Sequence, residues 1–217
     1  MSHAASEELR DILAPPDFRP TGTVKSSAQA IADGDWVGSI NIWLYTLTPE
    51  PSIIYQERLK TGAWAPGMLD VAAAGHYTTG ESGLDGLREL SEELGITVAP
   101  EDCHYFGRRI NINIDSRGRE RHSVSEVYDV EFKGNAADFV LQADELEGVV
   151  VAPIRQLMQM YRTGGSFEAE GIDPSGKIIT YDISAESFVQ NYDDYQRKMV
   201  EYLAAKLGVD DFYFTGK

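Results

Sequence analysis

Cysteine is almost absent from this chain of 217 residues, in which Cys103 stands alone. A single thiol cannot form an internal disulfide, and metal clusters built on several cysteine ligands are excluded. No apolar run approaches the roughly 20 residues that a membrane-spanning helix needs. The N-terminus, MSHAASEELRDIL, has acids where a secretion signal has basic residues followed by an apolar stretch. These absences favour a cytoplasmic protein without a membrane partner.

Positive charge is also scarce. Lys and Arg total 19 against 35 Asp and Glu, which gives a formal net charge of −16. Such a chain has no broad basic surface for a nucleic-acid backbone, so we expect no nucleic-acid partner. It can still bind a phosphorylated small molecule, because a divalent cation reverses the sign of the local charge.

Several motifs of well-known enzyme classes are missing as well. The chain has no phosphate loop, no dinucleotide-binding glycine fingerprint after a strand, no Gly-x-Ser-x-Gly elbow and no His-Glu-x-x-His pair. Their absence disfavours the enzyme classes that these four motifs mark.

The pattern of apolar residues predicts one domain over residues 1–217, with an N-terminal strand and helix extension and a C-terminal helix. Turn residues and hydrophobic periods predict these elements: a helix within 24–34, strands at 36–47, 51–59, 104–115, 122–132 and 147–154, a helix opened by Pro153, a late hairpin, and a final helix at about 193–207. Strands and helices do not alternate regularly, so we expect an α+β fold with a mixed β-sheet.

A further helix, at residues 84–94, carries a cluster of acids. Its leucines form one apolar stripe, and Gly95 is placed to end it. Glu89, Glu92 and Glu93 follow the spacing i, i+3 and i+4, which puts three carboxylates on one face. A solvated surface is the common explanation for such a cluster. The alternative is a bound divalent cation, which removes the repulsion by using the carboxylate oxygens as ligands.

The residues around this helix resemble the Nudix box, whose pattern is Gly, five residues, Glu, seven residues, then Arg-Glu-apolar-any-Glu-Glu-any-Gly-apolar. The matching positions are Gly75, Glu81, Arg88, Glu89, Leu90, Glu92, Glu93, Gly95 and Ile96. The chain departs from the pattern once, because six residues rather than seven separate Glu81 from Arg88. A later start of the helix can absorb this deletion. The resemblance implies a Nudix-type α/β/α sandwich and a hydrolase that cleaves a diphosphate linkage in a small-molecule substrate.

The resemblance also implies roles for individual residues. Glu92 and Glu93 match the family's principal Mg²⁺ ligands, with Mn²⁺ as a substitute ion. Glu89 matches the glutamate that binds metal or takes the proton of the attacking water. Arg88 matches the arginine that orients Glu89 through an ion pair, and the backbone carbonyl of Ala74 matches a further metal ligand. Glu89, Arg88 and Glu92 are therefore the predicted catalytic residues.

Other residues are candidates for supporting roles. An additional acid is sought at Glu81, Glu126 or Glu145. Substrate contacts are predicted for Trp64, His76, Arg108 and Arg109. The two arginines form a basic cluster with Arg117, Arg119 and Arg121, which could clamp a phosphate through bidentate contacts or could form a solvated hairpin.

Outside the box, the chain resembles the branch that includes isopentenyl-diphosphate isomerase, in the segments GDWVGSINIWLY, ERLKTGAWAPGMLDVAAAGH and FVQNYDDYQRKM. That isomerase has a cysteine at the position of Ala74, and histidines in the segment that matches residues 34–38, where this chain has none. Both differences disfavour isomerase activity. A metabolite sensor without turnover is the other alternative. The substrate stays open between nucleoside diphosphate derivatives and isoprenoid diphosphates, and the C-terminal helix could pack in a homodimer.

Overall fold

The computed structural model describes residues 8–62, 64–114 and 118–209. The chain divides into two compact units, one formed by Met1–Ile42 with Ala73–Val130 and the other by Trp43–Ala72 with Glu131–Lys217. The prediction of a single domain stays a prediction. Within the described ranges, no helix is long and apolar enough to cross a membrane.

The strands and α-helices follow one another in this order: β1 (Leu9–Ala14), β2 (Arg19–Ser26), α1 (Ser27–Asp33), β3 (Trp36–Thr46), β4 (Ser52–Arg58), β5 (Leu69–Asp70), β6 (Ala73–His76), α2 (Arg88–Leu94), β7 (His104–Ile114), β8 (Glu120–Glu131), β9 (Leu146–Pro153), α3 (Ile154–Thr163), β10 (Ser166–Ile172), β11 (Ile178–Ser184) and α4 (Tyr195–Lys206). Short 3₁₀ helices occupy Gly83–Leu87, Pro100–Asp102, Ala136–Asp138 and Ala185–Ser187.

The first unit is built on the N-terminal part of β3. That part pairs antiparallel with β1 and with β6, and β1 pairs antiparallel with β2. Strands β7 and β8 form an antiparallel hairpin, and β8 also pairs with β3. Helix α2 packs on β6. Leu90 and Leu94 of α2 are fully buried, as are Ile40 and Ile42 of β3, so the apolar stripe of the helix anchors it to the core.

The second unit is a sheet with helices packed on it. Strand β4 pairs antiparallel with the end of β3, with β5 and with β9, and the ladder continues through β10 to β11. A parallel bridge joins Leu69 to Phe188, and α3 packs on β4, β9, β10 and α4. The indole N–H of buried Trp43 donates to the Tyr195 hydroxyl at 2.8 Å. The α+β class with a mixed sheet is confirmed.

The predicted start of the acidic helix is wrong. Gly83–Leu87 form a 3₁₀ helix, and α2 begins only at Arg88. A 3₁₀ helix rises about 2.0 Å per residue against 1.5 Å in an α-helix, so fewer residues span the same distance. Gly86 lets this turn touch β3, because a Cβ there would lie 2.6 Å from Cγ2 of Ile40. The shortened segment before Arg88 is accommodated in this way, and α2 still ends at left-handed Gly95 as predicted.

The described chain begins with a hairpin of two strands, β1 and β2, and helix α1 follows within the predicted range 24–34. Helix α1 starts at Ser27, because the hydroxyl of Ser26 accepts a hydrogen bond from the Gln29 N–H at 3.2 Å and caps the first turn.

Candidate active site

Strand β6 and helix α2 bring Gly75 and Glu89 into direct contact. A Cβ at Gly75 would overlap the carboxylate of Glu89, so no other residue leaves room for this approach. Glu89 is only 9% exposed. The glycine that opens the motif therefore makes space for a buried carboxylate beside the backbone of β6.

Arg88 connects this carboxylate to its neighbours. Its Nη1 lies 2.8 Å from Oε1 of Glu89 and 2.9 Å from Oε2 of Glu92. Its Nε and Nη2 contact the two carboxylate oxygens of Glu81 at 2.8 and 3.2 Å. Nη2 also donates to the carbonyl of His76 at 3.2 Å. One guanidinium thus joins three carboxylates and the end of β6.

The carboxylates that Arg88 contacts differ strongly in acidity. Burial raises the pKa of Glu89 to about 7, although Arg88 opposes the shift. The hydrogen bond from Arg88, helped by a 2.7 Å bond from the Thr78 N–H, lowers the pKa of Glu81 to about 2. Glu81 therefore stays ionised at neutral pH, whereas the raised pKa of Glu89 brings its titration close to neutrality. A carboxyl group that titrates near neutrality is suited to accepting a proton during catalysis.

The remaining residues assigned to the metal site lie on the same two elements. Glu92 is exposed, Glu93 is half-buried on α2, and Ala74 pairs with Asn41 in the ladder between β6 and β3. Among the described residues, no group of three or more His, Cys, Asp or Glu side chains is already gathered for a metal ion.

The donor set nevertheless fits Mg²⁺. Carboxylate oxygens and a peptide carbonyl are the ligands that this ion prefers, and the absence of a side chain at Gly75 lets the carboxylate of Glu89 lie against the backbone of β6, which also carries the carbonyl of Ala74. Because Arg88 contacts both Glu89 and Glu92, a cation would compete with its guanidinium for these two carboxylates.

Of the three candidates for an additional acid, two line one cavity of about 110 Å³ in the first unit, namely Glu81 and Glu126. Arg108 lies on the same wall, and its Nη2 is 3.2 Å from Oε1 of Glu126. The hydroxyl of Tyr77 approaches Oε2 of Glu126 at 3.5 Å. Glu145 lies instead in an exposed turn before β9, within the second unit.

The four residues predicted to contact substrate fall at separate places. His76 ends β6, and burial together with the charges of Arg10 and Arg121 lowers its pKa to about 4, so its ring is neutral at pH 7. Trp64 belongs to the second unit, where the guanidinium of Arg58 lies 4.7 Å from the centre of its ring.

The predicted basic cluster follows the hairpin of β7 and β8. Arg109 is half-buried in β7 opposite Ser125, while Arg108 is exposed opposite Glu126. Arg119 lies just before β8 and Arg121 is its second residue, whereas Arg117 falls outside the described residues.

Arg10 is a residue of this region that the sequence did not reveal. It is 6% exposed, and its Nη1 donates to the carbonyls of His76 at 2.7 Å and Tyr77 at 2.8 Å. Arg10 thereby fixes the end of the strand that carries Gly75. The available signal was the alternation of Arg10 and Ile12, which are buried on one face of β1.

Comparison with known proteins gave relatives of one kind. The chain is 31% identical over 182 residues to an uncharacterized Nudix hydrolase from Clostridium acetobutylicum, a match that covers 79% of this chain and 82% of the relative. It is 26% identical over 189 residues to Nudix hydrolase 3 of Arabidopsis thaliana, covering 83% of this chain but 22% of the plant protein. No family model matches.

The solved structures of similar fold include a MutT protein from Methanosarcina mazei. It superposes with a TM-score of 0.53 at 15% identity, over 79% of this chain and 95% of that protein. At this identity the likeness concerns the fold alone.

Proposed function

The chain belongs to the Nudix hydrolase family, and on that premise we propose that it is a Mg²⁺-dependent hydrolase of a nucleoside diphosphate derivative or a related organic diphosphate. The observation that carries the proposal is the buried carboxylate of Glu89, which lies against Gly75 and is joined through Arg88 to Glu81 and Glu92. Burying a carboxylate with a raised pKa is unfavourable for the fold alone, and such groups concentrate at functional sites.

Glu92, Glu93 and the carbonyl of Ala74 would hold the Mg²⁺, with Mn²⁺ as a substitute, and Glu89 would be left to accept a proton. Bound there, the ion supplies neutralising charge for the diphosphate oxygens and Lewis acidity toward water. It also explains how a chain with a net charge of −16 accepts an anionic substrate.

The residues of the chain perform the proton transfer and the positioning. Water adds to one phosphorus, the bridging P–O bond breaks, and the proton that water loses passes to Glu89. Arg88 orients Glu89 through the 2.8 Å ion pair. Glu81 stays ionised and contacts Nε and Nη2 of the guanidinium. Rotation of Arg88 away from Glu89 would therefore also break its contacts with Glu81.

Arg108 would bind a phosphate of the substrate. It is exposed, it lines the cavity that also contains Glu81 and Glu126, and its planar guanidinium suits bidentate contacts. Its ion pair with Glu126 would hold the side chain in position until the substrate arrives.

The test is cleavage of a mixed panel of diphosphates with Mg²⁺, followed by phosphorus NMR. The panel includes nucleoside diphosphate sugars, nucleoside triphosphates and isopentenyl diphosphate. We expect cleavage of a panel member to require Mg²⁺ and to fall roughly 100-fold or more in the double variant Glu92→Gln, Glu93→Gln, since the metal would be lost or misplaced. The control Glu101→Gln, an exposed acid on a neighbouring turn, should keep full activity.

Two other outcomes would overturn the proposal. Saturable binding of a panel member without cleavage, with or without Mg²⁺, would favour the metabolite sensor. Conversion of isopentenyl diphosphate to its isomer would favour the isomerase and would require a proton donor in place of Ala74. The compound that is cleaved fastest would decide between the nucleoside and isoprenoid classes.

A further inference from the structure

A second small cavity of the first unit has a basic wall, although the chain carries a net charge of −16. Its volume is about 60 Å³, several times the roughly 10–15 Å³ that a cavity needs to hold one water. Arg10, Arg121, His76 and His122 line it, together with one carboxylate, that of Asp35. The cavity therefore has room for a small polyatomic ion, and its wall combines these charged and imidazole groups with the apolar side chains of Ala30, Ile31 and Val37.

The single carboxylate on this wall is already ion-paired. Oδ2 of Asp35 lies 2.5 Å from Nζ of Lys25, which also contacts Asp33 at 2.8 Å. The wall of the cavity therefore carries two guanidinium groups, those of Arg10 and Arg121, and one ion-paired carboxylate.

Arg10 has a hydrogen-bond donor to spare. Its Nη1 donates to two backbone carbonyls, and its Nη2 pairs with Glu8. Its Nε is buried and, within the described part of the chain, has no hydrogen-bond partner. Burial lowers the pKa of Arg10, so the charge is held under unfavourable solvation. An oxyanion would satisfy the free N–H with a charge-assisted hydrogen bond and would offset the buried charge.

The imidazole of His122 is held in place beside the cavity. Its ring stacks on Trp36 with 4.8 Å between centres. Its Nδ1 lies 2.9 Å from the Gly34 carbonyl and its Nε2 lies 3.1 Å from Oε2 of Glu120. Because both ring nitrogens already have hydrogen-bond partners, the ring has a fixed position beside the cavity. Its NMR resonances can therefore report what binds there.

We propose that this cavity binds a free tetrahedral oxyanion, of which inorganic phosphate is the example, between Arg10 and Arg121. The site is separate from the carboxylates of the candidate active site and does not depend on the proposed hydrolase activity. It is linked to them structurally, because the carbonyl of His76 accepts hydrogen bonds from both Arg10 and Arg88. The volume of about 60 Å³ fits the free ion, whereas a nucleoside attached to the phosphate would exceed it.

The test uses inorganic phosphate and the imidazole resonances of the chain, which has only four histidines. Phosphate is titrated by NMR into metal-free protein containing EDTA, with chloride holding the ionic strength constant. We expect a saturable shift of His122, which lines the cavity, and no shift of His104, which lies in β7 beside Asp129. Adenosine monophosphate at the same concentration should leave His122 unshifted.

Substitutions distinguish this cavity from other binding places. Arg121→Gln should weaken the apparent affinity for phosphate at least about tenfold, since one charge-assisted hydrogen bond is lost. The control Arg155→Gln removes the same charge from the exposed face of α3, in the second unit, and should bind phosphate as the wild type does. Arg121→Lys keeps the charge but loses the planar set of N–H donors of the guanidinium. Its affinity for phosphate should lie between those of Arg121→Gln and Arg155→Gln.

Three outcomes would overturn the proposal. The absence of a saturable shift at His122 would mean that the cavity stays free of the anion. A shift of His104 as large as that of His122 would show binding that is not confined to the cavity. Equal weakening in Arg121→Gln and Arg155→Gln would show binding by overall charge rather than at a site.

Discussion

Replacing Glu89 by glutamine should change how the stability of the metal-free protein depends on pH. Burial raises the pKa of Glu89 from 4.5 to about 7; Arg88 opposes the shift, and Glu92 and Glu81 add to it. Between these two values the folded protein holds a proton that the unfolded chain has released, so stability falls as pH rises. The difference of about 2.5 pKa units, at about 1.4 kcal/mol each, corresponds to roughly 3 kcal/mol.

The assay is urea unfolding in EDTA from about pH 4.5 to 8, with wild type and Glu89→Gln measured side by side. Contributions of groups that do not interact with Glu89 cancel in the difference between the two proteins. The free energy of unfolding of the wild type, relative to that of Glu89→Gln, should be highest at the acidic end. This difference should decline by roughly 3 kcal/mol toward neutral pH. Mg²⁺ should reduce the decline, because a bound cation favours the ionised carboxylate. Parallel curves for the two proteins would refute the reasoning, and Glu101→Gln serves as the control.

Four further substitutions test neighbouring contacts. Gly75→Ala should lower kcat/KM roughly 100-fold, because its Cβ would displace the buried carboxylate from β6; steady-state kinetics on a folded variant would show this. Arg88→Lys should raise the pKa of Glu81 from about 2. Glu81 stabilises the fold above its usual pKa and loses this effect toward pH 2, so acid unfolding should show a smaller loss in the variant. Gly86→Ala should lower the free energy of unfolding in urea by about 1–3 kcal/mol. Ile40→Ala should relieve the strain between the two positions, so the double variant Gly86→Ala, Ile40→Ala should be less destabilised than the sum of the single changes.

The acidic helix and its glycine were predictable because their signals are local. The spacing of Glu89, Glu92 and Glu93 sets one helical face whatever the rest of the chain does. The two strands β7 and β8 could also be predicted, from the alternation of residue types along them. The register of their hairpin places Arg108 opposite Glu126. A contact across a predicted hairpin is therefore within reach of sequence reasoning.

Contacts between distant segments were not predictable. Arg10 donates a hydrogen bond to the carbonyl of His76, which lies 66 positions away in the sequence. The residues next to Arg10 in the sequence do not indicate this partner. The 3₁₀ turn before α2 depends on the close approach of Gly86 to Ile40, which appears only when β3 and the turn are packed. Trp64 lies close to the motif in sequence yet belongs to the other unit.

The most direct test of the proposed hydrolysis is cleavage of the best diphosphate substrate in water enriched in ¹⁸O, followed by phosphorus NMR. One phosphate-containing product should carry the label, incorporation should require Mg²⁺, and Glu92→Gln, Glu93→Gln should abolish it. A substrate that binds the wild type with Mg²⁺ and is recovered intact and unlabelled would contradict the account.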